Sequence, residues 1–563
     1  MKKFRWQILI VLVTGLIVGI LLYFQQSGTN TPAASTPSPI SGGIYTEALI
    51  GNFQRLNPLL DAHNAPDQDV DRLIFSSLIK FDANGLPQGD LAESWSFGSD
   101  GSVFTFSLKP NAYWHDGTPV SSQDVVYTTS LLKGGSALLP EDLKAFWAEV
   151  QVIQLSDLVV QFSLPEAFAP IMDYLSFGVL PAHLLGNLGL DELVNHPFNM
   201  APIGSGPYKF SQLFIKDGVI SGIDLVANGD YYGGRPYIDE IVFQYYPSEK
   251  PAWNAYQAGE VDGLARVSND ILPEVLGESG LNLYSTREPS LSMIFLNLNN
   301  SGKAFLQNAS FRRALMLATN RQGMIDQVLL GQGIIAKGPI LPGNWAYYPE
   351  QESIPYDPDA ARQLIASEGM AINQTGILVT TDGVEVRLVL LTSDDDTHAQ
   401  IADMIKQGWE AVGVAVDILA IPYEQVIAEL DARTFDAALV DINLSGTPDP
   451  DPYPFWGASQ VDTGQNYAHW VNLTASEYLE QGRVTMDIGL RTKLYRNFQV
   501  LFQEDLPSLP LFYPIYNYAV KETIKNVSIG PIYSPSDRFN AIGDWYILAG
   551  KADEAQATTA PQP

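Results

Sequence analysis

The chain has 563 residues, 46% of them hydrophobic and 11% aromatic, which is enough for two or three lobes with extensive cores. Its 32 basic and 63 acidic residues give a formal net charge of −31, which argues against a partner that is a nucleic acid or an anionic lipid surface. Cysteine is absent, so disulfides, thiolate metal sites, cysteine nucleophiles and a cysteine-linked lipid anchor are excluded.

The N-terminus carries a basic cluster followed by the apolar run 8–24. A helix of this length spans about 25 Å, the low end for crossing a bilayer. No Lys or Arg occurs in 6–54, so the positive-inside rule places the N-terminus in the cytoplasm and the rest outside. We predict a cytoplasmic basic end at 1–7 and a transmembrane anchor at 8–24, with a cleaved signal peptide as the alternative.

Two segments of low complexity flank the folded body. Residues 25–41 are rich in Ser, Thr and Pro and uncharged, which indicates a flexible linker. Residues 551–563 form a polar tail of Ala, Thr and Pro that we expect to be disordered.

The first structured elements read as strands and one turn. Residues 103–108 alternate as a half-buried strand does, and 150–162 reads as a hairpin that turns at Ser156-Asp157. Between them, residues 112–126 combine an aromatic strand end, an Asp116-Gly117 turn and a helix that Ser121 or Ser122 can cap.

The second half alternates helices and strands. Helices are predicted at 310–330, 359–368 and 398–412, and strands at 384–392 and 414–421. A strand, a helix and a strand in that order form a βαβ unit, so we expect an α/β body with a parallel or mixed open sheet.

Several longer motifs follow one another along the body. They are Leu91-Ala92-Glu93-Ser94-Trp95, Trp114-His115-Asp116-Gly117-Thr118-Pro119, Pro202-Ile203-Gly204-Ser205-Gly206-Pro207-Tyr208, Tyr231-Tyr232-Gly233-Gly234-Arg235-Pro236, Ala258-Gly259-Glu260-Val261-Asp262-Gly263, Phe311-Arg312-Arg313-Ala314-Leu315, Tyr356-Asp357-Pro358 and Asp449-Pro450-Asp451-Pro452-Tyr453. Their order and spacing resemble those of the family 5 extracellular solute-binding proteins, the oligopeptide, dipeptide and nickel-binding class of ABC importers.

The resemblance implies a two-lobed fold of the periplasmic-binding-protein type (type II, with an extra subdomain) and a hinge between the lobes. Lobe one would hold 42–288 plus 514–550, with a subdomain at about 89–200. Lobe two would hold 289–513. The chain crosses between the lobes near Pro289 and Pro514, which are therefore hinge candidates.

The resemblance also implies candidate ligand-binding residues on the two walls of the cleft. They are Glu47 and Asn52 on lobe one, and Asp441, Asn443, Asp449, Asp451, Tyr453, Phe455 and Trp456 on lobe two. In peptide-binding relatives an Asp a few residues before the Asp-Pro holds the peptide amine. Direct alignment puts Gly446 at that position in this chain, with Asp441 as the alternative anchor after a loop shift. Each candidate also has a structural reading, as a residue that stiffens a loop or packs in a core.

The implied function is capture of a solute and its delivery to an ABC permease and ATPase complex from the extracytoplasmic face, by a monomer tethered through its N-terminus. A peptide is the default solute, and an oligosaccharide or another small polar solute is the alternative. A surface-tethered hydrolase and a sensory binding protein remain open. We expect no enzyme activity, no catalytic residues, no cofactor and no metal, because no nucleophile elbow or metal-like histidine spacing occurs.

Overall fold

The computed structural model describes residues 39–548. The predicted basic end, the anchor or signal segment at 8–24, most of the linker and the tail 551–563 lie outside the described residues. Within residues 39–548, no helix has both the length and the apolar character that crossing a membrane requires.

Short strands make up much of the described chain. In chain order they are β1 (Ile44–Ile50), β2 (Ile79–Phe81), β3 (Pro87–Gly89), β4 (Ala92–Phe97), β5 (Val103–Leu108), β6 (Gln151–Ser156), β7 (Val159–Ser163), β8 (Tyr208–Lys216), β9 (Val219–Ala227), β10 (Glu240–Tyr246), β11 (Gly263–Leu264), β12 (Leu281–Arg287), β13 (Ser290–Leu296), β14 (Gly333–Ile335), β15 (Ala371–Ile372), β16 (Leu378–Val379), β17 (Arg387–Ser393), β18 (Ala415–Ile421), β19 (Ala437–Asn443), β20 (Ser508–Lys521), β21 (Ile524–Lys525) and β22 (Tyr546–Ile547).

Helices cover the sheets and link their strands. The α-helices are α1 (Ala65–Ile74), α2 (Ser122–Lys133), α3 (Glu141–Glu149), α4 (Ala182–Leu185), α5 (Leu190–Leu193), α6 (Glu249–Ala258), α7 (Leu272–Leu276), α8 (Ala309–Leu317), α9 (Arg321–Gln327), α10 (Pro358–Ser367), α11 (Asp396–Glu410), α12 (Tyr423–Asp431), α13 (Tyr453–Trp456), α14 (Leu473–Val484) and α15 (Ile488–Asp505). Short 3₁₀ helices lie at Ala169–Leu175, Pro197–Met200, Ser301–Gln307, Ala458–Gln460, Pro535–Phe539 and Ile542–Asp544.

One large mixed sheet runs through the body in the order β18, β17, β19, β13, β20, β11, β1, β10, β9, β8, while β12 and β14 pair with β20 beside this path. At one end β1 is parallel to β10 and β11, and at the other β17 is parallel to β18 and β19. The predicted βαβ unit is confirmed as β17, α11 and β18, and with it the α/β fold class.

The buried hydrophobic residues separate into cores at the two ends of this sheet. One set comes from residues 45–275 and returns at residues 516–545, and we call this part lobe one. The other set lies within residues 291–513, and we call it lobe two. The body is therefore two-lobed, with lobe one discontinuous in sequence.

Strand β20 belongs to both lobes. Its first residues, Ser508–Phe512, pair with β13, and Ile515–Lys521 pair with β12. Between these pairings, the Glu288 amide donates to the Pro514 carbonyl at 2.7 Å, and the Leu444 amide donates to the Pro289 carbonyl at 2.8 Å. The two prolines thus lie where the chain passes between the cores, and the exact boundaries at 288/289 and 513/514 stay a prediction.

A smaller antiparallel sheet, in the order β4, β5, β7, β6, lies within the predicted subdomain. The predicted hairpin is confirmed as β6 and β7. Its hydrophobic residues, such as Phe106 and Phe162, are buried in the same core as the rest of lobe one.

The turn at Asp116-Gly117 ties this subdomain to the rest of lobe one. Gly117 has φ +88°, and the Thr118 amide donates to the Asp116 carboxylate at 2.9 Å. The ring of His115 accepts from the Gly204 amide through Nδ1 at 3.2 Å and donates to the Gly206 carbonyl through Nε2 at 3.1 Å. Burial lowers the pKa of His115 to about 4, so this ring is a neutral clamp between two loops.

The helix after this turn begins as predicted. Ser121 occupies its N-cap position, and the Ser121 amide donates to the Asp124 carboxylate at 2.8 Å in a capping box. The choice between Ser121 and Ser122 therefore falls on Ser121.

The helix predicted over 310–330 is wrong in its extent. It consists of two helices, α8 and α9, separated at Ala318–Asn320. Asn308 caps α8 by accepting from the Phe311 amide at 3.1 Å, and Asn320 caps α9 by accepting from the Gly323 amide at 2.9 Å. An Asn side chain that bonds the next turn competes with a continuous helix, which the apolar periodicity alone does not show.

Candidate functional site

A cavity of about 220 Å³ lies between the lobes, beside the strands that connect them. Its walls come from the segment 266–269 and Glu288 on one side, and from Ser292, His398 and Asp441 on the other. The remaining lining residues are Leu329, Gln332, Thr397, Ile401, Leu439, Phe512, Pro514, Ile515 and Asn517.

Strand ends from both lobes meet at this cavity. The segment 266–269 follows β11, whose neighbour β1 runs parallel to it, and α11 begins three residues after the end of β17. In open α/β sheets, crevices at the carboxyl ends of parallel strands are where ligands bind. The topology therefore places the cavity where this class of sheet usually holds a ligand.

The lobe-two wall is a chain of polar side chains. Asp395 is the N-cap of α11 and also contacts Nδ1 of His398 at 2.8 Å. Nε2 of His398 lies 3.5 Å from the Asp441 carboxylate. Ser292, which faces Asp441 across the antiparallel pair of β13 and β19, donates its hydroxyl to that carboxylate.

The lobe-one wall carries an ion pair. Arg266 contacts Glu288 at 3.1 Å, and the Arg266 and Glu288 side chains are 50% and 20% exposed. A half-exposed guanidinium keeps N–H donors free for a further partner. This wall therefore presents both a cation and a carboxylate to the cavity.

Ser292 and His398 are not arranged as a serine nucleophile with an imidazole base. An activated serine needs its hydroxyl bonded to a base such as an imidazole. The Ser292 hydroxyl is instead bonded to the Asp441 carboxylate, and His398 contacts carboxylates through both ring nitrogens. A guanidinium facing carboxylates across a small cavity matches a solute that carries charges of both signs.

The predicted residues of the first loop lie apart from this cavity. Glu47 is fully buried and accepts from Arg538 at 2.6 Å, from the Tyr45 hydroxyl at 2.6 Å and from the Tyr518 hydroxyl at 2.7 Å. Arg538 also donates to Asp69 at 2.6 Å. Glu47 is thus saturated by partners inside lobe one.

Asn52 is exposed, and its side-chain amide donates to the Phe53 carbonyl at 3.3 Å within its own loop. It does not line the cavity. The ligand-binding roles of Glu47 and Asn52 stay a prediction.

Two acids of the Asp-Pro-Asp-Pro loop pair with arginines of lobe two. Asp449, 7% exposed, accepts from Arg491 through both oxygens at 2.6 and 2.7 Å. Asp451 lies 3.1 Å from Arg483. Burial, with Asp449 adding to the effect and Arg483 opposing it, raises the pKa of Asp451 to about 6.

The aromatic candidates of the same loop pack into lobe two. Trp456 is 2% exposed and lies against Phe295 and Phe502, with ring centroids 5.7 and 4.7 Å away. Phe455 packs, partly buried, on the same core, and the Tyr453 hydroxyl bonds Ser459 at 2.6 Å. The ligand-binding roles of these three aromatic residues stay a prediction.

Among the predicted candidates, the structure brings Asp441 into the cavity wall. Asn443 is two residues further along β19, is exposed and accepts from the Ser445 amide at 2.9 Å. Gly446 has φ +74° and donates its amide to the Tyr533 carbonyl of lobe one at 2.7 Å.

Sequence reasoning did not single out Arg266, Glu288 or His398 as ligand contacts. Arg266 follows a two-residue strand that has no periodicity to announce it, and Glu288 lies at the crossover itself. The sequence places His398 just inside a helix that follows an acidic run. Its approach to Asp441, however, depends on the register of β13 and β19.

The fold and the site define a two-lobed solute-binding protein. The family model described as bacterial extracellular solute-binding proteins, family 5 Middle, matches residues 87–465. The chain belongs to this family. Its folded body therefore works outside the cytoplasm, and the predictions of family, fold class and solute binding are confirmed.

Two relatives cover most of the chain. The oligopeptide-binding protein AppA of Bacillus subtilis is 26% identical over 93% of this chain and 95% of its own length. A dipeptide-binding protein of Escherichia coli is 25% identical over 78% of this chain and 84% of its own length.

Solved structures agree with the fold. AppA of Bacillus subtilis in complex with a nonapeptide, 26% identical, aligns with a TM-score of 0.65 over 91% of this chain and 100% of that one. The unliganded open form of the murein tripeptide-binding protein MppA, 20% identical, aligns with a TM-score of 0.76 over 92% of this chain and 100% of that one.

Proposed function

We propose that this protein captures a peptide between its lobes and delivers it to the permease of an ABC importer, without catalysing a reaction. The observation that carries the proposal is the cavity in which Arg266 of lobe one faces His398 and Asp441 of lobe two. A peptide has a carboxylate at one end and an ammonium group at the other. Arg266 would receive the carboxylate, and Asp441 with Glu288 would receive the amine.

The relatives support the same solute class, because the two named above bind oligopeptides and dipeptides by their names. We infer that Asp441 receives the amine, because it lines the cavity and because Gly446 stands where the resemblance implies an amine-binding Asp. We further propose that segment 8–24 remains as a membrane anchor, that the chain works as a monomer, and that the lobes divide at 288/289 and 513/514.

A titration of the full chain tests the solute. Isothermal titration calorimetry with Ala-Ala-Ala, its N-acetylated form and its C-terminal amide would report the contribution of each peptide charge. We expect binding of the free peptide and weaker binding of both blocked forms, since each removes one charge-assisted hydrogen bond. Maltotriose serves as the sugar probe.

Binding of maltotriose with no binding of the three peptides would replace the peptide with an oligosaccharide as the solute. Cleavage of Ala-Ala-Ala, detected by mass spectrometry, would favour the alternative of a surface-tethered hydrolase. For transport, deletion of the chain in its host should abolish uptake of labelled Ala-Ala-Ala. Uptake that persists alongside intact peptide binding would favour a sensory role.

A further inference from the structure

The lobes also meet away from the cavity, at a seam between the loop 448–451 of lobe two and the 3₁₀ helix Ala169–Leu175 of lobe one. The backbone N–H of Asp449 donates to both carboxylate oxygens of Asp173, each at 3.1 Å. The Arg483 guanidinium of α14 lies over the Phe168 ring of lobe one, 5.0 Å from its centroid. An acidic side chain of one lobe is therefore held by the backbone of the other.

The charges at this seam do not balance. Three carboxylates, those of Asp173, Asp449 and Asp451, face two guanidinium groups. Arg491 is engaged by Asp449 at 2.6 Å and Arg483 by Asp451 at 3.1 Å, and both pairs lie within lobe two. Asp173 is the carboxylate left without an ion-pair partner among the described residues.

The surroundings of Asp173 favour its neutral form. Burial, together with the neighbouring charges of Asp449 and Asp451, raises the pKa of Asp173 well above its usual value, although the Asp449 amide and Arg491 oppose the shift. Separating the two surfaces would admit water and remove these neighbours, so the pKa would fall towards its ordinary range.

We propose that Asp173 is a proton-linked latch, whose protonated carboxyl holds the lobe arrangement seen here and whose ionisation loosens the seam. The direction of the pH dependence follows from proton linkage. The joined seam binds the proton more tightly than the separated one, so joining takes up a proton and is favoured as pH falls. For one linked proton, the ratio of joined to separated molecules changes by at most about tenfold per pH unit.

Asp451 acts in the same direction, since its pKa is also raised in the joined seam. Among the described residues, two tyrosines also face these groups: the Tyr495 hydroxyl accepts from Arg491 at 3.0 Å, and the Tyr453 ring centroid lies 4.6 Å from the Arg483 guanidinium. The inference rests on the proposed function only in giving lobe movement a purpose, because a solute-binding protein must let its lobes part to load and release the solute.

The absence of cysteine allows a direct test in the full chain. Exposed Glu166 of lobe one and Glu480 of lobe two are each replaced by Cys, and spin labels are attached. Electron paramagnetic resonance then gives the distribution of interlobe distances from pH 5 to pH 8 without any ligand. We expect one narrow distribution at pH 5 and a broader, longer one at pH 8.

Asp173→Asn keeps an acceptor for the Asp449 amide and removes the titration, so its distribution should stay narrow across the range. Asp157→Asn, an exposed carboxylate of the same lobe, is the matched control and should behave as wild type. Circular dichroism confirms that each variant is folded.

A wild-type distribution that does not change with pH would overturn the latch, and this result needs no variant. Retention of the full pH response in Asp173→Asn would overturn it as well. Peptide binding without any pH response of the lobes would refute the latch alone, whereas a pH-responsive seam without peptide binding would refute the proposed solute alone.

Discussion

Two charged clusters in this protein use the same residue types in opposite ways. In lobe one, Arg538 lies between Glu47 and Asp69, and the Glu47 and Arg538 side chains are both 0% exposed. At the cavity, Arg266 contacts Glu288 while half of its side chain stays exposed. In the first cluster the donors are directed at acceptors of the same lobe, whereas the second keeps donors free.

The difference separates charges that hold the fold from charges available to a solute. A buried ion pair is costly to break because the remaining charge has no solvent, while a half-exposed pair contributes little to stability. Saturation by partners, and not residue type, therefore distinguishes the two clusters.

The largest effect is expected from Arg538→Met, which removes the cation of the buried cluster in lobe one. It leaves the Glu47 and Asp69 carboxylates buried without their counter-charge, which should lower the free energy of unfolding by about 3–5 kcal/mol. Urea denaturation followed by tryptophan fluorescence measures the loss. Arg72→Met is the control: its pair with Asp537 is partly exposed, so it should cost about 1 kcal/mol or less. Equal losses in the two variants would contradict the distinction.

Trp456→Ala tests whether the aromatic loop belongs to the core. Because the indole is 2% exposed among Phe295 and Phe502, its removal should cost about 3–5 kcal/mol of unfolding free energy. The Kd for Ala-Ala-Ala of the folded variant should match that of wild type in calorimetry. A weaker Kd with unchanged stability would restore Trp456 to the binding site.

Arg266→Met and Asp441→Asn address the cavity itself. Each removes a charged partner of the peptide, worth about 1.5–3 kcal/mol, so the Kd for Ala-Ala-Ala should rise by roughly 10- to 100-fold. The melting temperature without peptide should hardly change, since the Arg266–Glu288 pair is partly exposed. Arg235→Met, which removes a surface pair with Asp239, is the matched control and should leave the Kd unchanged. An unaltered Kd in both cavity variants would move the site elsewhere.

The smallest effect concerns the neutral clamp at His115. Its pKa is about 4 in the fold and about 6.5 when unfolded, so the unfolded chain binds the extra proton between these values. Stability therefore falls as pH falls through this window, by about 2 kcal/mol between pH 7 and pH 5 for this one group. Urea denaturation at both pH values should show that His115→Gln loses about this much less than wild type. An identical pH dependence of the two proteins would mean that His115 stays solvated.

The fold could be predicted further than the site. The periodicity of 384–421 predicts a strand, a helix and a strand, and the structure places β17, α11 and β18 within three residues of those limits. Such elements are encoded locally. The partners of Glu47 are not encoded locally, because Arg538 is 491 residues away in sequence. The local sequence of a Glu is also the same whether its side chain lines a cleft or lies in a buried network. His398 and Asp441 similarly meet only through strand register.

That same separation has a consequence for the order in which the chain acquires structure. Lobe two draws its core from the continuous stretch 291–513, so it can complete itself while the last residues are still being synthesised or moved across the membrane. Lobe one cannot fold completely at that stage, because Glu47 pairs with Arg538 and β12 pairs with the second half of β20, both near the end of the described chain. Folding of the whole body therefore depends on its final segment. A chain truncated before residue 515 would retain a folded lobe two beside an incompletely folded lobe one.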